Sequence, residues 1–216
     1  MSYFHAGAQQ FLQDLAANND KPWFLANKAR FEADLQTPAL TFLEDANQWF
    51  EMAGLPYHGE PKKSGGGLSR IYRDARFSQD KTPYHTHLTL FWGHREGNKT
   101  RLMPGIGMRI RPDEVGLGGG IYGGATAELN RVRDAIVRDL DGWDQATSGL
   151  DVWGEQLKSA PRGYDKAHPR IDAIRRKQFM VRVPVGAAFT GDLMTTFQEA
   201  AVQMQPFLEF VGDALR

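Results

Sequence analysis

Between Arg70 and Tyr84 the chain reads RIYRDARFSQDKTPY, which sets Arg70, Arg73, Arg76 and Lys81 among Asp74, Asp80, Tyr72 and Tyr84. Arginine forks grip carboxylate or phosphate in bidentate fashion. Tyrosine rings stack on, or hydrogen-bond to, a ring or sugar. In an extended segment Arg70, Tyr72, Asp74 and Arg76 share one face, and Ile71, Arg73, Ala75 and Phe77 the other. Asp74 would then hold two guanidinium groups in place, with SQDK at 78–81 as a turn that Pro83 ends.

A second dense segment, LKSAPRGYDKAHPRIDAIRRKQF at 157–179, offers Arg162, Tyr164, His168 and Arg175. Lys62 to Lys81 holds six cations against Asp74 and Asp80, a net of +4; Lys158 to Lys177 holds seven against Asp165 and Asp172, a net of +5. The whole chain sums to zero, so the remainder carries −9. If the two segments meet, they make a local positive field that attracts phosphates or carboxylates. The expected site therefore has Arg70, Arg73, Arg76 and Lys81 holding an anionic small molecule, with Asp74, Tyr72 and Tyr84 orienting them. Arg162, Tyr164, His168 and Arg175 would form the facing wall.

For proton transfer, His168, Asp165, Asp74 and Tyr84 are available. The competing reading is structural: Arg–Asp networks also fasten loops to sheets, Tyr84 and Phe77 suit a core, and His168 before Pro169 suits a helix cap. Several chemistries are absent from the pattern. There is no nucleophile elbow and no Ser–His–Asp spacing. The KKSGGG run lacks the spacing of a phosphate loop and follows no strand. GLGGGIYG fails the dinucleotide fingerprint and sits in a hairpin, so its glycines read as strand packing. His85 and His87 would point the same way from a strand, with His94 on the opposite face; a third metal ligand would have to come from elsewhere, and no metal is expected. With no cysteine, disulfides and thiolate chemistry are excluded.

A third dense segment, NNDKPWFLANKARF at 18–31, completes a set of blocks. In order and spacing these blocks, with the GLGGGIY strand, resemble the bacterial and fungal family of conserved hypothetical proteins known as domain of unknown function 2461. The resemblance covers nearly the whole chain. It marks Trp23, Asn27, Lys28, Arg70, Arg73, Asp74, Arg76, Phe77, Asp80, Lys81, Pro83, Tyr84, Pro161, Gly163, Tyr164, His168, Pro169, Arg175 and Lys177 as matching the family pattern. It implies no activity and no cofactor. At position 85 the family pattern tends to have Lys where this chain has His85, which counts against an essential role for that histidine.

The elements that must position these residues follow from periodicity. Phe4, Ala8, Phe11, Leu12 and Leu15 make one helical face. Asn18-Asn19-Asp20 breaks that helix, and Asp20 caps the next, which Trp23, Phe24, Phe31 and Leu35 suit. Thr37-Pro38 reads as a cap and first-turn proline of a third helix that Gly54 stops near Ala53. Residues 54–67 read as a mobile loop. Residues 68–123 read as short strands joined by short turns, hence antiparallel. Thr126 would cap a helix lined by Leu129, Val132, Ile136, Val137 and Leu140 and ended by Gly142. A short helix over 169–177, the strand FMVRVPV, and a helix from Leu193 to Leu215 broken or kinked by Pro206 close the chain.

The expected fold is a single α+β domain over residues 1–216, a central antiparallel sheet flanked by helices. The N-terminal stretch lacks a basic leader and a continuous apolar core. No apolar run approaches the roughly 20 residues that cross a bilayer. A cytoplasmic protein without membrane partners is expected. The alternatives to a small-molecule site are a nucleic-acid-associated module using the same basic face, which zero net charge disfavours, and a partner-binding protein with no pocket. Oligomeric state is not legible.

Overall fold

The helical start follows from its apolar spacing. In the computed structural model, which describes residues 3–63, 65–76, 78–184 and 192–216, α1 spans Ala6–Ala17 and buries Ala8, Phe11, Leu12 and Leu15. Asp20 caps α2 (Lys21–Ala26), its carboxylate accepting the Trp23 N–H at 2.8 Å. A short α3 (Lys28–Phe31) then runs without a break through a π turn at Glu32–Gln36 into α4 (Thr37–Met52). Thr37 is therefore inside a helix and does not begin one. The reason is Pro38: a proline has no N–H and crowds the carbonyl four residues back, and the wider π turn before it relieves both demands. The end is as expected, with Gly54 at φ 68 after the cap residue Ala53.

Six strands form one antiparallel sheet flanked by helices: β1 (Tyr57–His58), β2 (Leu88–His94), β3 (Gly105–Ile110), β4 (Val115–Ile121), β5 (Asp151–Trp153) and β6 (Phe179–Pro184), ordered β1-β2-β3-β4-β6-β5. The segment read as a mobile loop carries β1. Asn47 holds Gly59 by two hydrogen bonds, Nδ2 to Gly59 O at 2.8 Å and Gly59 N to Oδ1 at 2.9 Å. Gly67 accepts the Phe91 N–H at 2.7 Å. β2 begins at Leu88 rather than His85. Its alternation buries Leu88, Leu90, Trp92 and His94.

In α5 (Thr126–Arg138) the residue before the helix is Ala125, whose N–H is accepted by the Glu128 carboxylate at 2.7 Å. Thr126 is thus the first helical residue and not the cap. Val137 is exposed, and Arg133 takes a place on the buried face beside Val132 and Ile136. Gly142 does not end this helix. Asp139 separates it from α6 (Leu140–Thr147) and caps α6 by accepting the Gly142 N–H at 2.9 Å. The short helix expected over 169–177 is one turn, α7 (Ile171–Ile174). α8 runs Leu193–Leu215 unbroken through Pro206. Of FMVRVPV, Val185 lies outside the described residues.

The chain divides into two compact units, one of Met1–Trp92, Gly107–Leu117 and Pro184–Glu199, the other of Gly93–Ile106, Gly118–Val183 and Ala200–Arg216. The first has an aromatic core in which Phe197 meets Phe42, Phe50 and Trp92 at 4.8–5.7 Å between ring centroids. In the second, Trp143 meets Phe179, Phe207 and Phe210. The glycine-rich β4 packs as expected. A Cβ on Gly120, at φ 128, would lie 2.0 Å from the Phe179 carbonyl oxygen, and one on Gly119 would lie 2.9 Å from Leu208.

Candidate functional site

The basic segment 70–85 is a tight excursion pinned by its own side chains. Tyr72 and Tyr84 form an isolated antiparallel bridge, flanked by Arg73 N to Pro83 O and His85 N to Ile71 O, both 2.8 Å. Asp80 accepts the Thr82 N–H at 2.9 Å and Asp74 the Arg76 N–H at 3.2 Å, local turns of the kind short carboxylates favour. Arg73 reaches across the turn to Asp80, to Thr82 Oγ1 and to Ser78 Oγ. Arg76 closes a two-point pair on Asp74 at 2.9 and 2.7 Å, and Lys81 donates to the Ala75 carbonyl at 3.1 Å. Hydrogen bonds from Arg76 hold the Asp74 carboxyl below its usual range; those from Thr82 and then Arg73 do the same for Asp80.

The alternation read from the sequence survives in exposure: Arg70, Tyr72, Asp74 and Arg76 face solvent, while Ile71 is buried and Arg73 and Ala75 are partly covered. The backbone, however, is not a strand beyond its single bridge, because local side-chain bonds turn it instead. Asp74 does not clamp two arginines. It binds Arg76 and senses Arg70 only through space. Phe77 lies outside the described residues. Tyr84 is core, stacked on Phe24 at 4.2 Å, with Asn19 bonded to its carbonyl and N–H; burial pushes its hydroxyl pKa up. Tyr72 leans on the same pair with half its surface open.

Next to this hairpin lie His85 and His87, their rings 5.1 Å apart. Burial, then the Arg109 charge, holds the His87 pKa down at about 4. His85 is lowered by burial and by Arg73, Arg109 and Arg70. Among the described residues, the side chains of Arg70 and Arg109 make no hydrogen bond and no ion pair, and both residues are exposed. Also among the described residues, no three His, Asp or Glu side chains gather as a metal-binding group. His94 sits on the buried face, its Nδ1 accepting the Glu96 N–H at 3.1 Å.

The second basic segment belongs to the other unit, and its side chains have local tasks. The Tyr164 hydroxyl donates to Asp134 at 2.7 Å and is pushed up to about 12 by burial and that bond. His168 Nδ1 accepts the Arg170 N–H at 3.1 Å, as a cap on the α7 turn. Asp165 accepts the Ala167 N–H. Arg175 Nε donates to the Leu157 carbonyl at 2.7 Å, and Arg170 pairs with Asp144. Arg162 is exposed with no bond among the described residues. Buried Arg133 donates to the carbonyls of Ile174 at 2.8 Å and Arg176 at 2.9 Å. It tethers α5 to the α7 turn, a role that its place in a helical apolar stripe does not announce.

The sequence profile of the family described as "Conserved hypothetical protein (DUF2461)" matches residues 7–210. The chain belongs to this family. No curated protein and no solved structure matches it. In this DUF2461 member the three blocks of the resemblance are structural cores of their neighbourhoods. Asn27 bonds the Trp23 carbonyl and the Arg30 guanidinium; Arg73, Asp74 and Asp80 fix the hairpin; Tyr164, His168 and Arg175 fix the 157–177 loop. Sequence reading did not include Arg109 or His87 in the cationic site. The alternation of Ile106, Met108 and Ile110 does put Arg109 on the opposite face of β3, but which hairpin that face meets is a matter of strand order.

Proposed function

We propose that this DUF2461 protein binds an anionic, phosphate-bearing small molecule at the 70–85 hairpin, through Arg70 and the organised edge formed by Arg73, Arg76 and Lys81. The observation that carries this is the contrast between neighbours. Arg73 and Arg76 are tied to Asp80 and Asp74, whereas Arg70 is exposed with no acid or carbonyl in contact among the described residues. A free guanidinium beside a pinned cationic edge and a half-open tyrosine is a fork awaiting a planar, doubly acceptor group. The tied carboxylates keep the edge rigid, so less is lost on binding. Asp74 and Tyr84 each carry a structural bond, which supports binding rather than proton transfer as the role of this surface.

A thermal-shift series with phosphorylated metabolites and pyrophosphate on wild type and Arg70→Ala tests the proposal. Arg70 is the informative position, since Arg73→Ala would also open the turn. A rise in Tm for wild type at constant ionic strength, lost in Arg70→Ala, is expected. No rise with any anion, or an equal rise in both, overturns it. Tighter, steeply salt-dependent binding of a single-stranded oligonucleotide replaces it with a nucleic-acid function.

A further inference from the structure

Strand alternation sets Thr89, Phe91, Gly107, Arg109 and Gly116 on the face of β2, β3 and β4 opposite Leu90, Trp92, Met108, Val115 and Leu117. Phe91 and Arg109 are exposed on this face. Two strand glycines lie open here. Among the described residues, a Cβ on Gly116 would meet nothing within 4 Å, and one on Gly107 only the Leu90 carbonyl oxygen, at 3.7 Å. Neither has a positive φ. They differ from Gly118, Gly119 and Gly120, whose missing side chains make room for Val181, Leu208 and Phe179. A glycine in a strand lowers its stability and marks close approach of another backbone or of a ligand; at 116 no described backbone approaches, and at 107 only the Leu90 carbonyl, at ordinary contact distance.

The groups acting on His87 are Arg109 and Arg111 from β3 and its turn and His85 from its own segment; His85 adds Arg70 and Arg73 from the hairpin. Of the acids nearby, Glu114 pairs with Arg111, Asp80 with Arg73, and Asp74 with Arg76, while Asp113, in the turn between Arg111 and Glu114, makes no ion pair among the described residues. Arg70 and Arg109 are left without a contacting acid among the described residues. Two guanidinium groups with no contacting acid among the described residues thus act on the same imidazole, that of His85.

Resting on the anion-binding reading above, we infer that the site extends onto the sheet face: Arg109 is the second fork for a tetrahedral oxyanion, the glycines at 107 and 116 leave its space, and His87 takes up a proton when the anion binds. Free His87 is neutral near pH 6 because burial and Arg109 disfavour its charge. An anion between them reverses the sign of that field. The imidazolium that forms becomes a further donor to the bound group, so binding strengthens as pH falls.

Sulfate is the probe, since it keeps its charge between pH 5 and 8 and any proton uptake belongs to the protein. On the full chain, calorimetry in buffers of different ionisation heat is expected to show net proton uptake at pH 6, and affinity about tenfold higher at pH 5 than at pH 7, as linkage gives for a histidine pKa raised by about two units. The NMR titration of the His87 ring should move upward with sulfate. Arg109→Gln should abolish that movement and weaken sulfate, and Gly116→Val should block sulfate while the chain still folds. If sulfate binds and depends on Arg70 but Arg109→Gln, Gly116→Val and the His87 titration are indifferent, the extension fails while the hairpin site stands. If neither sulfate nor phosphate binds wild type, both fail.

Discussion

His87 is a histidine whose pKa is depressed in the folded state to about 4, by burial first and Arg109 second. Between the unfolded value near 6.5 and the folded one, the unfolded chain binds more protons, so acid favours unfolding. Stability from this residue is fully present above about pH 6.5 and is lost as pH falls toward 4. His85 and His94 shift in the same direction. Urea melts at pH 7 and pH 4.5 should therefore show a smaller acid loss for His87→Gln than for wild type; an identical loss would mean that another group governs acid lability. Arg133 is the other residue whose chemistry is decided by burial. Arg133→Met would strip the partners from two carbonyls, and unsatisfied buried acceptors cost on the order of 3 kcal/mol together. Equilibrium denaturation measures it, and a change below about 1 kcal/mol would show that water replaces the guanidinium.

At the level of elements, the glycines of β3 and β4 divide into two kinds that the sequence prints alike. Gly120→Ala would force its new Cβ against the Phe179 carbonyl at a positive φ, so a loss of roughly 3 kcal/mol or failure to fold is expected. Gly116→Ala meets no described residue within 4 Å at an ordinary φ, and replacing a strand glycine there should be neutral or stabilising by about 0.5–1 kcal/mol. Chemical melts of the two variants side by side decide the point. Helix starts behave more simply. Asp20→Ala removes the acceptor for the Trp23 N–H and should cost about 1 kcal/mol. These elements were legible because caps and apolar spacing are local. The π turn before Pro38 and the split at Asp139 were not. A proline or glycine announces a local preference, and packing on either side of it decides whether the helix stops.

For the whole molecule, equal numbers of acidic and basic residues, 26 of each, give an isoelectric point near 7.0. Self-repulsion is weakest there. Solubility, measured by polyethylene glycol precipitation, should pass through a minimum near pH 7 and rise by pH 5 and pH 9. A monotonic profile would show that patch charge rather than net charge governs association. No described helix is long and apolar enough to cross a membrane. The chain thus has no overall electrostatic lure for polyanions, and any anion affinity must come from local geometry such as the Arg70 neighbourhood.

The sequence by itself determined the α+β class, the antiparallel sheet, the helix start at Asp20 and the family. Each of these rests on near neighbours in the chain: period, cap, turn residue or short motif. It also determined which cations are concentrated where. Only the tertiary structure decided which of them are occupied. Arg73 and Arg76 spend their forks on Asp80 and Asp74, Arg175 and Arg133 theirs on carbonyls, and Arg70 and Arg109 meet no partner among the described residues. The physical reason is that pairing of charges depends on which strands lie side by side. Strand order brings Arg109 into the field of His87 across more than twenty positions of sequence, and no local pattern encodes it.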